Sequence, residues 1–287
     1  MVRRSLAALL LVAVIVGYVV WQRPEEPVPP PAPPKPVVLE YADGSRMWSV
    51  GEGGLQPMVV QRVLKEMSEV SVPYDSLVAR GGAVRTTIDA KAQTTAAAVL
   101  GRLVARQQGP DGSYSQEELN AGMTAIDPAS GGVRVYLPGF QWDQDLAGGV
   151  AQQPSPGLFQ PFAGVRDVGE GQVTPLDVTA TYATLAAAGV ERKPHLVSTV
   201  TGADGSLRYK AADTAKPVIG EHVVDRITAS LKDNAMCNGV ACMPYAAPWM
   251  VGYTPQLAVT VYVEKAGAVN AGLPRVIWQE FLAGFAG

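Results

Sequence analysis

The sequence predicts an α+β fold, an antiparallel sheet covered by helices. Three observations predict it. Apolar residues alternate with period two in paired runs around turn residues, helical stretches separate those runs, and hairpins and helices come in blocks rather than in strict strand–helix alternation. The 287 residues, 47% hydrophobic and 17% charged, can bury one large or two small cores. A net charge of −3 leaves no basic stripe to neutralise phosphates, which argues against a nucleic-acid partner.

The N-terminus reads MVRRSLAALLLVAVIVGYVVWQR, with no formal charge from Ser5 to Gln22. As a helix those residues span about 27 Å at ~1.5 Å per residue, close to the hydrocarbon thickness of a bilayer. Arg3 and Arg4 favour a cytoplasmic N-terminus, so residues 1–22 are expected to be a cytoplasmic tip and a single-pass anchor, the membrane span being residues 5–22. A cleaved signal peptide is the alternative, but Tyr18, Val19, Val20 and Trp21 are not the small residues that a cleavage site prefers. Residues 23–36 hold eight prolines in fourteen positions, a composition that favours an extended spacer of roughly 40 Å.

Residues 37–82 are expected to be a short linker module, and 83–287 the main domain. VVLEYADGSRMWSV reads as a hairpin over Asp43-Gly44, and a helix follows with Val59, Val63 and Met67 on one stripe. Val84, Thr86 and Ile88 alternate as a strand before an alanine-rich helix that starts near Asp89. MTAIDPASGGVRVYL is a hairpin turning at Asp127-Pro128. The next helix opens with Thr174 as cap, Pro175 at its first position and Asp177 three residues after the cap; Gly189 closes it. Further hairpins turn at Ala203-Asp204-Gly205 and Thr254-Pro255-Gln256, EHVVDRITASL reads as a helix, and a last helix runs from about Pro274 to Phe285.

Cys237 and Cys242 lie five residues apart. An extracytoplasmic location favours a disulfide over two free thiols, and zinc lacks ligands because His195 and His222 are distant in sequence. No metal and no cofactor is expected.

Five of these blocks, taken in order, resemble the transpeptidase module of penicillin-binding proteins, especially the bifunctional high-molecular-weight kind. VRTTIDAKAQTTAAAVL is similar to its opening strand and helix, MTAIDPASGGVRVYL to its first hairpin, and GQVTPLDVTATYATLAAAGVERKPHLVSTVTGADGSLRYK to a later helix and hairpin. WMVGYTPQLAVTVYV and LPRVIWQEF resemble its last strands and final helix. The resemblance implies a shortened penicillin-binding-protein/β-lactamase-like transpeptidase fold, anchored in a bacterial cytoplasmic membrane with its main domain outside. It also implies that the glycosyltransferase domain of the bifunctional members is missing.

The family acylates a serine in an S-x-x-K motif, assisted by an S-x-N loop and a K-T-G strand. PSPGLFQPFAG, read as a turn entering a helix, aligns through Phe159, Pro161 and Phe162. The nucleophile position is then Gly157 and the lysine position Gln160, which leaves neither a hydroxyl nor an amine. Counting back from Trp249 puts the K-T-G region at Asn238, Gly239 and Val240, so the cation is lost there too. Only six residues separate Phe162 from Gly169, where the family has helices and the S-x-N loop. Deleting those helices is expected to bare apolar sheet surface, which a partner, self-association or rearranged helices would have to cover.

No catalytic residue is therefore expected. The resemblance implies a non-catalytic scaffolding or binding role in peptidoglycan synthesis, with cell-wall synthesis proteins or peptidoglycan peptides as partners. The alternative is an active D,D-transpeptidase or carboxypeptidase that binds penicillin through displaced residues. Ser155 is the nearest hydroxyl, and it has no lysine three positions later.

Overall fold

Short-range turn chemistry closes each hairpin. The Asp43 carboxylate accepts from the Ser45 N–H at 2.8 Å, Gly44 takes φ 90°, and strand β1 (Val37–Glu40) folds back on β2 (Arg46–Ser49). The computed structural model describes residues 36–49, 57–106, 119–139, 144–244, 247–264 and 270–285. The expected span at 5–22 and all but the last residue of the proline-rich spacer lie outside the described residues. Among the described residues, no helix is long and apolar enough to cross a membrane.

The five-stranded sheet that carries the fold is antiparallel throughout. Its order is β10 (Ala241–Met243), β11 (Trp249–Tyr253), β12 (Ala258–Glu264), β4 (Asn120–Ile126) and β5 (Val133–Leu137). Side-chain alternation gives this sheet two apolar faces. Ala121, Met123 and Ala125 of β4, with Val259, Val261 and Val263 of β12, join one core with helices α3 (Ala90–Arg106) and α6 (Leu273–Phe285). Ile126 of β4, Trp249, Val251 and Tyr253 of β11 and Tyr262 of β12 join the other core, under helix α4 (Pro175–Ala186). A buried Thr124–Thr179 hydroxyl pair, 2.6 Å apart, pins β4 to α4.

Helix α4 is sandwiched, with Leu176, Val178, Thr179, Tyr182, Ala183 and Leu185 all buried. Its start is fixed locally. The Thr174 hydroxyl accepts from the Asp177 N–H at 3.2 Å, while the Asp177 carboxylate accepts from the Thr174 N–H at 2.9 Å.

A second sheet, in the order β2-β1-β3-β7-β8, was not legible as a unit. It contains β3 (Gly82–Thr86), β7 (Val197–Gly202) and β8 (Leu207–Lys210), and β1 pairs with β3 in parallel. The parallel pair arises because two helices, α1 (Met58–Glu69) and α2 (Tyr74–Arg80), carry the chain back between these strands. The hairpin at 37–49 thus shares a sheet with strands of the main domain. Helix α1 buries Val60, Val63 and Met67, while Val59 is only half-buried. Its Glu66 carboxylate accepts from the Leu196 and Val197 N–H groups at 2.8 and 2.9 Å, which caps the start of β7. The remaining elements are a short ladder of β6 (Val190–Glu191) with β9 (Lys216–Pro217), and helix α5 (Glu221–Lys232), which packs on β10.

The bare sheet face expected from the missing helices does not exist among the described residues. Strands β4 and β11 are buried along their whole length, and the large exposed apolar residues Val150, Val165, Leu207, Met236 and Phe285 fall on five separate segments. Helices α4 and α5 and the segment from 144 to 165 take up that surface, placing Leu146, Ala147, Leu158 and Phe162 in the core.

Candidate functional site

The segment that holds positions 157 and 160 is not an α-helix, contrary to expectation. It runs as consecutive turns into a single 3₁₀ turn, Gln160–Phe162, because the N–H groups of Gln160, Phe162 and Ala163 bond three residues back, to Gly157, Phe159 and Gln160. Its apolar residues anchor it. Leu158 and Phe162 are buried, the Tyr182 hydroxyl donates to the Leu158 carbonyl at 2.5 Å, and the Phe162 ring meets Tyr182 edge-on at 5.4 Å. Burial pushes the Tyr182 hydroxyl far above its ordinary pKa, so it serves as a fixed neutral donor and not as a base.

Gly157 and Gln160 themselves are exposed. Gly157 has φ 91°, a left-handed backbone that side-chain-bearing residues rarely adopt, and a Cβ built there would lie 3.9 Å from Gln160 Oε1. The structure thus brings positions 157 and 160 together, without a nucleophile or a base at either. The hydroxyl nearest in sequence is engaged elsewhere: Ser155 Oγ donates to the Ala247 carbonyl at 2.8 Å. Upstream, the Gln153 carbonyl accepts from Trp249 Nε1 and Gln152 Oε1 accepts from the Tyr262 hydroxyl, so the segment is sewn to β11 and β12.

The Asn238 region is a turn, where the alignment put a strand. Asn238 has φ 50°, Gly239 has φ 76°, and β10 begins only at Ala241. Two local causes produce the turn: Asn234 Oδ1 accepts from the Met236 N–H at 3.0 Å, and a disulfide joins Cys237 to Cys242 with Cα atoms 5.8 Å apart. Both cysteines are buried in the core of α3 and α6.

Helix α5 lines two separate depressions. A groove of about 530 Å³ lies between Gln160, Pro161, Ala163 and Val165 on one side and Val223, Arg226, Ile227 and Ser230 of α5 on the other, with Met243 of β10 at its border. A second pocket, of about 280 Å³, lies between other α5 residues, including Thr228 and Lys232, and the Gly239–Val240 turn. Position 160 and the Gly239–Val240 pair therefore face different depressions. Sequence reading missed both, since α5 carries no motif and its lining residues become neighbours only through folding. Among the described residues, no group of three or more His, Cys, Asp or Glu is placed to hold a metal. His195 Nδ1 lies 3.4 Å from the Lys193 carbonyl oxygen, and its own carbonyl accepts from the Val133 N–H, which makes it a structural residue of the strand start.

No protein-family model matches the chain. Penicillin-binding protein 1A of Mycobacterium tuberculosis is 27% identical over 205 residues, covering 58% of this chain and 24% of that protein. Penicillin-binding protein 1A of Mycolicibacterium smegmatis is 31% identical over 150 residues, covering 41% of this chain and 19% of that protein. The chain thus spans about a quarter or less of the length of these curated relatives. Among solved structures, the PonA1 protein of Mycobacterium tuberculosis in complex with penicillin V superposes with TM-score 0.63 at 20% identity, covering 81% of this chain and 93% of that one. The chain resembles penicillin-binding protein transpeptidase domains, in sequence and in fold.

Proposed function

We propose that this chain is an extracytoplasmic, membrane-anchored protein of a bacterial envelope that keeps a penicillin-binding-protein transpeptidase scaffold without its acyl-transfer chemistry. It acts as a scaffold or binding module in peptidoglycan synthesis, through cell-wall synthesis proteins or peptidoglycan peptides. The observation that carries this reading is Gly157 at the nucleophile position, in a left-handed backbone ill suited to serine. Gln160 at the lysine position and the Asn238–Gly239 turn support it, since neither supplies the basicity or the cation that acylation requires. The Cys237–Cys242 disulfide supports an oxidising compartment. Residues 5–22 supply the membrane span, and residues 23–36 hold the domain off the surface.

The reading is tested by incubating the full chain, in detergent, with fluorescent penicillin and measuring intact mass. No covalent adduct is expected. An adduct at Ser155, at Ser230 or at any other serine would establish instead an enzyme that works through displaced residues. Alkaline carbonate extraction of membranes from cells expressing the chain tests the anchor: release of the chain into the soluble fraction would refute it.

A further inference from the structure

The pocket on the far side of α5 is lined by two residues of opposite charge, Asp225 and Lys232, beside polar and apolar side chains. Its floor holds two hydroxyls in contact, Thr228 Oγ1 and the Tyr253 hydroxyl 2.8 Å apart, and Leu185, Val224 and Val240 contribute apolar wall. Tyr253 is almost fully buried, and burial raises its pKa against the pull of the Thr228 hydrogen bond, so the floor is polar but uncharged at neutral pH. Asp225 and Lys232 lie seven residues apart on one helix, so their backbones are separated by about 10 Å along its axis. Neither takes part in an ion pair among the described residues.

We infer that this pocket binds a short zwitterionic peptide of two or three residues, its amino end at Asp225 and its carboxylate at Lys232. An extended chain covers about 3.3–3.6 Å per residue, so such a peptide matches the axial separation of the two positions on the helix. Its amide groups can exchange hydrogen bonds with the Thr228–Tyr253 pair, and small apolar side chains suit the walls and the volume of about 280 Å³. The Gly239–Val240 wall is held by the Cys237–Cys242 bridge, so the pocket is preorganised only while that bridge is oxidised. The site is separate from the groove at Gln160 and does not depend on the function proposed above.

The test is calorimetric titration of the full chain, in detergent, with trialanine and with trialanine acetylated at one end and amidated at the other. Saturable binding of the free peptide is expected, with the blocked one weaker by about 25-fold, the product of two fivefold losses. Lys232→Met and Asp225→Asn, both at exposed positions, should each weaken binding about fivefold, the effect of losing one exposed charge pair. Arg226→Gln, in the other groove, should leave affinity unchanged, and reduction of the disulfide should lower it. Equal binding of the blocked peptide, unchanged affinity in both charge variants, or no binding of trialanine at millimolar concentration would each overturn the inference.

Discussion

A serine returned to position 157 would have to occupy a backbone at φ 91°, where its Cβ meets steric resistance that glycine escapes. Gly157→Ser combined with Gln160→Lys therefore restores the composition of the motif without its helical geometry. This double variant is expected to be less stable than the parent by about 1 kcal/mol or more and to remain unlabelled by fluorescent penicillin. Labelling in intact mass spectra would mean that the turn can still rearrange into an active helix. Position 66 offers a pH signature of the fold. Burial raises the Glu66 carboxyl above its ordinary 4.5, outweighing the Val197 and Leu196 N–H bonds and the nearby charges of His195 and Arg62. A raised folded-state value means that the protonated form stabilises the fold. That contribution is complete below the unfolded value and is lost as pH rises through the folded one. Urea unfolding over a pH series should show stability falling above about pH 4.5 relative to Glu66→Gln, and parallel curves would refute the assignment.

The elements legible in the sequence were those specified by neighbours in the chain. Helix α4 was readable because Thr174, Pro175 and Asp177 mark its start, and the hairpins because period-two runs flank turns such as Asp127-Pro128 and Asp204-Gly205. Helix α2, seven residues between Pro73 and Gly81, offered too short a pattern, and the parallel β1–β3 pair depends on residues more than forty apart. The site was half legible. Alignment put Gly157 and Gln160 on a helix and Asn238 on a strand, where the 3₁₀ turn is anchored by the distant Tyr182 and the Asn238 turn is closed by Asn234 and a disulfide whose pairing the sequence alone does not fix. These anchors give element-scale expectations. Thr174→Ala should destabilise the chain by about 1 kcal/mol, read as a lower midpoint in chemical denaturation. Tyr182→Phe leaves the buried Leu158 carbonyl without its donor and should cost about 1–3 kcal/mol, with the loss of hydrogen-exchange protection centred on residues 157–163. A loss confined to α4 would show that the 3₁₀ turn does not depend on this contact.

The two cores are not independent, because alternate residues of β4, β11 and β12 serve both. Met123 and Ala125 face α3 and α6 while Thr124 and Ile126 face the other way, and Met250 lies opposite Trp249 and Val251. Loosening one layer therefore moves the strands on which the other is built. Between Phe162 and Gly169 the chain is held in the same way from outside the cores: α4 stays buried from both sides, and Arg166 ties the six-residue segment to Glu191 at 2.6 Å. Phe281→Ala, in the core of α3 and α6, is expected to cost about 3–5 kcal/mol. If the sheet transmits the loss, hydrogen-exchange protection must fall in β3 and β7 as well, although neither strand contributes a residue to that core. Unchanged protection of β3 and β7, beside exchange-competent α6, would mean two separable folding units. In that case the shared strands would not bind the cores into one cooperative structure, and loss of the α3–α6 layer would leave the layer that carries position 157 standing alone.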